Sequence, residues 1–244
     1  MTYCVGILLR DGLVLAADTR TNAGVDYVST FRKLTIFELP GDRFITLMGA
    51  GNLATTQSVV SLVSERLEQG TEENSLYRVP TMFNAARVVG NALREVLAFD
   101  GPYVRETKAD PSASFIVGGQ IAGRPVRLFQ VYPAGNFIEA TPDTPFVQIG
   151  ETKYGKPILD RVVDYGMPLD RAAKAALVSF DSTMRSNLSV APPLDLVIYR
   201  RDSFRAHKHM EIAGDDEYFR ALRKRYGEGL ARVFDRLPDP DIDL

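Results

Sequence analysis

Apolar residues fall first into short extended blocks and then into helical stripes. Thr2 to Leu9 is β-branched and aliphatic, Asp11-Gly12 supplies a tight turn, and Leu13 to Ala17 returns as a second apolar run. Both runs are almost continuously apolar, as expected of strands buried on two faces. Thr35 to Leu39 and Arg43 to Met48 form a second pair around the turn Pro40-Gly41-Asp42. From Ala54 to Glu68 the spacing of Val59, Val60, Leu62, Val63 and Leu67 predicts a helix. A polar link, Gly70 to Ser75, leads to a second helix from about Pro80 to Phe99.

The second half repeats this order. Strands are predicted at Ser114 to Val117, Val126 to Tyr132, Phe137 to Glu139 and Phe146 to Ile149. Helices follow at Tyr154 to Tyr165 and Pro168 to Ser186, then strands at Leu194 to Arg200 and His207 to Ile212. A charged helix from about Asp215 to Leu237 and an acidic segment complete the chain. Sheets alternating with helix pairs predict two sheets covered by helices on both outer faces, in one compact domain over 1–244 with a C-terminal helical extension from about 215.

The 244 residues carry 29 basic and 31 acidic side chains, a formal charge of −2 that offers no basic field for nucleic acid. A lone cysteine, Cys4, excludes an intramolecular disulfide framework and a Cys-based zinc site. No apolar run approaches the roughly 20 residues needed to cross a bilayer, so no membrane partner is expected. The start, MTYCVGILLRDG, does not have the basic leader of a signal peptide, and the expected location is cytoplasmic.

Candidate chemistry lies at the front. Removal of Met1 leaves Thr2 with a hydroxyl and a free α-amine on one residue. Such an amine, with an ordinary pKa of about 7.7–8.0, is a general base at neutral pH that can activate the weakly acidic hydroxyl. Asp18 lies just after the second strand and Lys33 opens the third. A lysine near Thr2 depresses the amine pKa and stabilises an alkoxide, and an aspartate beside it keeps it charged and aimed. Gly49-Ala50-Gly51 ends a strand before a helix, where backbone N–H groups can form an oxyanion hole. Each has a plainer reading: an edge residue, a surface ion pair, a strand-to-helix turn.

The segments TYCVGILLRDGLVLAADTR, FRKL and GAGNLATTQ resemble the β-type subunits of the 20S proteasome and their bacterial HslV-type relatives. The Asp18-Thr-Arg20 motif and the 16-residue step from Thr2 to Asp18 match that pattern. STFRKL, GNLATTQSVVSLV and SFDSTMRSNLSV are further similar to the bacterial proteasome-related Anbu proteins. The resemblance implies the four-layer α-β-β-α sandwich of N-terminal-nucleophile hydrolases, an α+β fold with two mainly antiparallel sheets. It also implies a threonine peptidase without cofactor or metal, self-associated into a ring or open ring-like homo-oligomer, cleaving peptides or unfolded chains. An ATP-driven unfoldase partner is left open.

Carried over by residue, the nucleophile falls on Thr2, the acid on Asp18 and the lysine on Lys33, one position earlier than in most relatives. The oxyanion glycine falls on Gly51 and a second acid on Asp181. Two departures stand out. Gly150-Glu151-Thr152 replaces a Gly-Ser-Gly turn, and Met184 stands where many relatives have serine, with Ser182 or Ser186 as substitutes. The same fold can also serve as a scaffold without turnover, or as a small-molecule amidase. The Gly24, Asp26 and Tyr27 loop is a candidate pocket wall. His207 and His209 read as an exposed polar strand face, Cys4 as a packed small residue, and Arg220 to Arg225 as a solvated helix face.

Overall fold

The computed structural model describes residues 1–23 and 27–241. Two antiparallel hairpins open the chain, β1 (Tyr3–Leu9) with β2 (Gly12–Asp18) and β3 (Arg20–Ala23) with β4 (Tyr27–Thr30). A third hairpin, β5 (Leu34–Leu39) and β6 (Arg43–Gly51), leads into helices α1 (Leu53–Gln69), α2 (Met82–Phe99) and α3 (Gly101–Glu106). Then come β7 (Ala113–Ile121), β8 (Arg127–Val131), β9 (Phe137–Glu139) and β10 (Phe146–Gly150). Helices α4 (Lys156–Val162) and α5 (Leu169–Ser186), strands β11 (Leu194–Arg200) and β12 (Ala206–Ile212), and helix α6 (Glu217–Phe234) complete the order.

The strands form two five-stranded sheets, β10-β1-β2-β11-β12 and β5-β6-β7-β8-β9. All their pairings are antiparallel. Side-chain alternation sorts the apolar residues into three cores. Val5, Ile7, Val14, Ala16 and Leu196 face α4, α5 and α6. Leu8, Leu13, Leu15, Phe44, Ile116, Leu128 and Val197 fill the space between the sheets. Ile45, Leu47, Phe115, Val117 and Phe129 face α1 and α2. The result is the α-β-β-α sandwich, and it explains why β1 and β2 read as continuously apolar: both of their faces are buried.

Three local features differ from the sequence expectation. The loop expected after Asp18 is hairpin β3–β4, although Gly24 and Asp26 of the anticipated pocket wall lie outside the described residues. The sequence reading places no element after Phe99, yet Gly101–Glu106 forms α3, where proline at the first helical positions loses no hydrogen bond. Helix α4 is shorter than the expected Tyr154–Tyr165 span. Among the described residues no helix is long and apolar enough to cross a membrane.

Candidate active site

Antiparallel pairing brings the start of β1, the end of β2, the start of β5 and the end of β6 to one end of the sandwich. Thr2, Asp18, Lys33 and the Gly49–Gly51 segment therefore converge there, although they are far apart in sequence. Asp18 is the hinge of the group. Its Oδ1 accepts the Tyr3 N–H at 3.0 Å, and its Oδ2 lies 2.9 Å from Lys33 Nζ. Lys33 also donates to the Arg20 carbonyl, which fixes the ammonium from a second side. The side chains are 6% exposed for Lys33 and 0% for Asp18.

Such a pair costs desolvation on both partners and persists when geometry and additional hydrogen bonds offset that cost. Burial pushes the Asp18 pKa up; the Lys33 charge and hydrogen bond, the Tyr3 N–H and the terminal amine pull it back. Met1 is exposed and caps the Thr2 nitrogen in the unprocessed chain.

Thr2 is held from the other side by the end of β10. Its carbonyl accepts the Glu151 N–H at 2.7 Å. Gly150, at φ +83°, makes this approach possible: a Cβ there would lie 1.9 Å from the Thr2 oxygen. Tyr3 then anchors the strand start beneath the site. Its ring packs on Phe180 at 4.6 Å, and its hydroxyl accepts from Gln148 at 2.6 Å and lies 3.1 Å from Ser179 Oγ. Burial raises the Tyr3 pKa to about 12, so it stays a neutral strut. Cys4, the next residue, is wholly buried, and burial pushes its thiol far up. That makes it a packed residue rather than a nucleophile.

Beside Lys33 opens a cavity of about 280 Å³ lined by Arg32, Thr35, Gly49, Thr56, Gln57 and Ser61 among others. Gly49 lines it; its N–H donates to the Lys33 carbonyl at 3.1 Å. Gly51, the expected oxyanion donor, is the last residue of β6 and packs against Ser112 and against Ala113, the first residue of β7. Asn52 caps α1 immediately after it, accepting from the Thr55 N–H.

Asp181 is brought elsewhere. It sits within α5 on the side facing α6, where Oδ1 accepts from Arg223 Nε at 2.7 Å and Oδ2 lies 3.9 Å from Arg185. Its geometry is that of a helix-to-helix anchor, and its observed partners are these two arginines. Met184 packs on the apolar core beneath the same helix. Glu151 does reach Thr2, through its N–H, and its side chain is held in turn by Asn187, whose Nδ2 donates to Glu151 Oε2 at 3.0 Å. Glu151 was visible in sequence as a departure from the Ser pattern. Asn187 was not, because it follows the end of α5 and its partner is 36 residues away.

Another buried acid, Asp195, feels the charges of Arg32 and His209. Asp195 on β11 is fully buried, with neither oxygen hydrogen-bonded within the protein and His209 Nε2 at 3.6 Å. Burial raises its pKa, opposed chiefly by the charge of Arg32 and then by His209. Arg32 in turn pairs with Glu211 at 3.2 Å. His209 thus does more than face solvent, although among the described residues no group of His, Cys, Asp and Glu is arranged to hold a metal ion.

Comparison with known proteins agrees with this fold. The family model described as Proteasome subunit matches residues 2–197. The chain is 26% identical over 212 residues to proteasome subunit beta 1 of Thermococcus kodakarensis, covering 86% of this chain and 94% of that one. Among solved structures it is similar to Anbu (ancestral beta-subunit) from Yersinia bercovieri, at 50% identity, a TM-score of 0.91 and 100% coverage of both chains. It is equally similar to the helical assembly of the Anbu complex from Pseudomonas aeruginosa, at 51% identity, a TM-score of 0.92 and 98% of each chain. With sheets, helices and the Thr2–Asp18–Lys33 cluster arranged in this way, the chain belongs to the proteasome-subunit family, and its full-length likeness is to Anbu.

Proposed function

We propose that this protein is a proteasome-like threonine peptidase, one hydrolase unit over 1–244 that acts in the cytoplasm after Met1 is removed. The observation that carries the reading is the buried Asp18 carboxylate, bound on one oxygen by the Tyr3 N–H and on the other by Lys33. A buried ion pair is an expensive way to build a strand end, and here its carboxylate holds the Tyr3 N–H, next to the residue that Met1 removal would expose.

In this reading Thr2 Oγ attacks a peptide carbonyl while the Thr2 α-amine takes its proton, directly or through water. The Lys33 charge favours the neutral amine and the developing alkoxide. The backbone N–H of Gly51, at the end of β6, stabilises the oxyanion; that of Gly49 is taken by the Lys33 carbonyl. The amine then protonates the leaving group, and water hydrolyses the Thr2 ester. Asp181, expected from sequence as a second acid, is assigned here to anchoring α6. The cavity beside Lys33 receives a substrate side chain, and Arg32 on its wall favours an acidic one. The chemistry calls on no metal or cofactor.

Like the helical Anbu assembly it resembles, the chain is read as self-associating. A scaffold role with weak turnover is a second reading, favoured by Glu151: a buried carboxylate on the very residue whose N–H binds the Thr2 carbonyl opposes deprotonation of the amine. Replacement of Thr2 by alanine separates the two. In the peptidase reading Thr2→Ala abolishes cleavage of a fluorogenic peptide panel and leaves assembly intact. A Thr2→Ala variant that matches the parent on every peptide removes the peptidase reading.

A further inference from the structure

Helices α4, α5 and α6 enclose an open groove of about 500 Å³ on the outer face of the sandwich. Its floor is apolar, with Ile158, Met167 and Val178 among the lining residues. Its rim carries four cations, Arg161, Arg171, Lys174 and Arg225. Among the described residues none of the four has a carboxylate within ion-pair distance, although their helices do form pairs elsewhere, such as Lys156–Asp160 and Arg223–Asp181. Four unpaired cations around an apolar floor, on a chain of net charge −2, fit an anionic and amphipathic occupant.

The chain carries such a segment. After α6 the sequence runs Pro238-Asp239-Pro240-Asp241-Ile242-Asp243-Leu244, with apolar and acidic residues in strict alternation. In an extended conformation that alternation puts Pro240, Ile242 and Leu244 on one face and three aspartates on the other. The two prolines hold their own φ angles, and the residues before them, in extended conformations, which lowers the entropy cost of docking. The described part, Pro238 to Asp241, is exposed in this monomer.

The end of α6 leads into it with an unpartnered stripe. Leu230, Val233, Phe234 and Leu237 follow the i, i+3, i+4, i+7 spacing of one helix face, and each is more than half exposed. The chain continues in helical turns through Leu237, whose N–H donates to the Phe234 carbonyl, so it travels onward past Arg225.

Resting on the reading that this chain self-associates, we propose that the C-terminal arm, Leu230 to Leu244, docks on a second copy of the chain. The acidic tail lies in the α4–α5–α6 groove of that copy, aspartates toward the four rim cations and apolar residues toward the floor. The stripe at the end of α6 continues the contact outside the groove. The arm is then a strap between neighbouring subunits.

The test uses the full chain. Single variants Lys174→Cys and Asp241→Cys are mixed and treated with a bismaleimide, the native Cys4 being buried. Covalent dimers form in the mixture and not in either variant alone. Neutralising the tail, as Asp239→Asn/Asp241→Asn/Asp243→Asn, lowers the association constant about tenfold at low salt, and raising the salt lowers that of the parent by a similar factor. Cross-linking confined to monomers of the Lys174→Cys/Asp241→Cys double variant means the tail folds back on its own groove and overturns the proposal. So does an assembly of unchanged size and affinity when the tail is neutralised, which leaves self-association itself standing. A parent chain that stays monomeric at every concentration removes both.

Discussion

Gly150 touches Thr2 so closely that a methyl group on its α-carbon would sit 1.9 Å from the Thr2 carbonyl oxygen. The contact closes β10 onto Thr2 and presents the Glu151 N–H to the same carbonyl at 2.7 Å. Gly150→Ala therefore forces Thr2 to move and strains a backbone at φ +83°. The expected cost is about 3 kcal/mol in denaturant unfolding, with peptidase activity falling at least about 100-fold from displacement of the nucleophile. Gly123→Ala is the control, with φ +72° and nothing within 4 Å of its added methyl; about 1 kcal/mol and unchanged turnover are expected there.

Arg223 and Asp181 form a pair across α5 and α6, and the structure assigns Asp181 to that contact. Arg223→Ala leaves a buried carboxylate with only the distant Arg185 and costs about 2 kcal/mol, the value of a buried pair reduced because Arg223 is a third exposed. Asp181→Asn costs less. In a double-mutant cycle read by urea unfolding, the two changes together cost less than their sum. Strict additivity would place the stability of α6 elsewhere.

Asp195 makes stability pH-dependent with a definite sign. Burial raises its folded pKa above the unfolded value, so the folded state holds the proton more tightly. Its contribution is complete below the ordinary carboxylate pKa of about 4 and is lost as pH rises through the raised value. Arg32, His209 and Glu211 face it, and a charged Arg32 or His209 limits the loss. Asp195→Asn abolishes this component. Unfolding free energies of parent and variant, measured from pH 4 to pH 7, must diverge in favour of the variant as pH rises. A constant difference across that range contradicts the assignment.

Arg32 lines the cavity and is held by Glu211 at 3.2 Å. Arg32→Glu lowers kcat/KM for peptides with an acidic side chain at the cavity about tenfold relative to leucine there, and favours lysine. Glu211→Gln shifts preference toward acidic peptides, because Arg32 loses its competing carboxylate. A profile unmoved by Arg32→Glu assigns selectivity to Thr35, Thr56 and Gln57.

The hairpin β1–β2 was legible in sequence because a short turn and near-neighbour pairing determine it, and the pair Asp18–Lys33 because the family resemblance carried both residues over. Asp11-Gly12 sets the register, and register alone carries Asp18 to the Tyr3 N–H. Asp181 was not legible. A polar position on α5 can face the sheet, the solvent or another helix, and its partner Arg223 lies 42 residues away. Asn187 and the β10 end were hidden for the same reason: the β10 end meets Thr2 through tertiary packing, by a backbone N–H that carries no sequence signal, and Asn187 holds the Glu151 side chain there. The choice between Gly49 and Gly51 was of this kind too, since two residues along a strand separate the cavity wall from the β7 contact.

The central claim is that Thr2 becomes a terminal nucleophile, and intact mass before and after incubation with a peptide epoxyketone tests it most directly. That reagent is captured jointly by a hydroxyl and an α-amine on one residue. The expected result is a chain without Met1 that gains one adduct, with none on Thr2→Ala. A chain that retains Met1 and takes no adduct under conditions where it is fully assembled contradicts the claim.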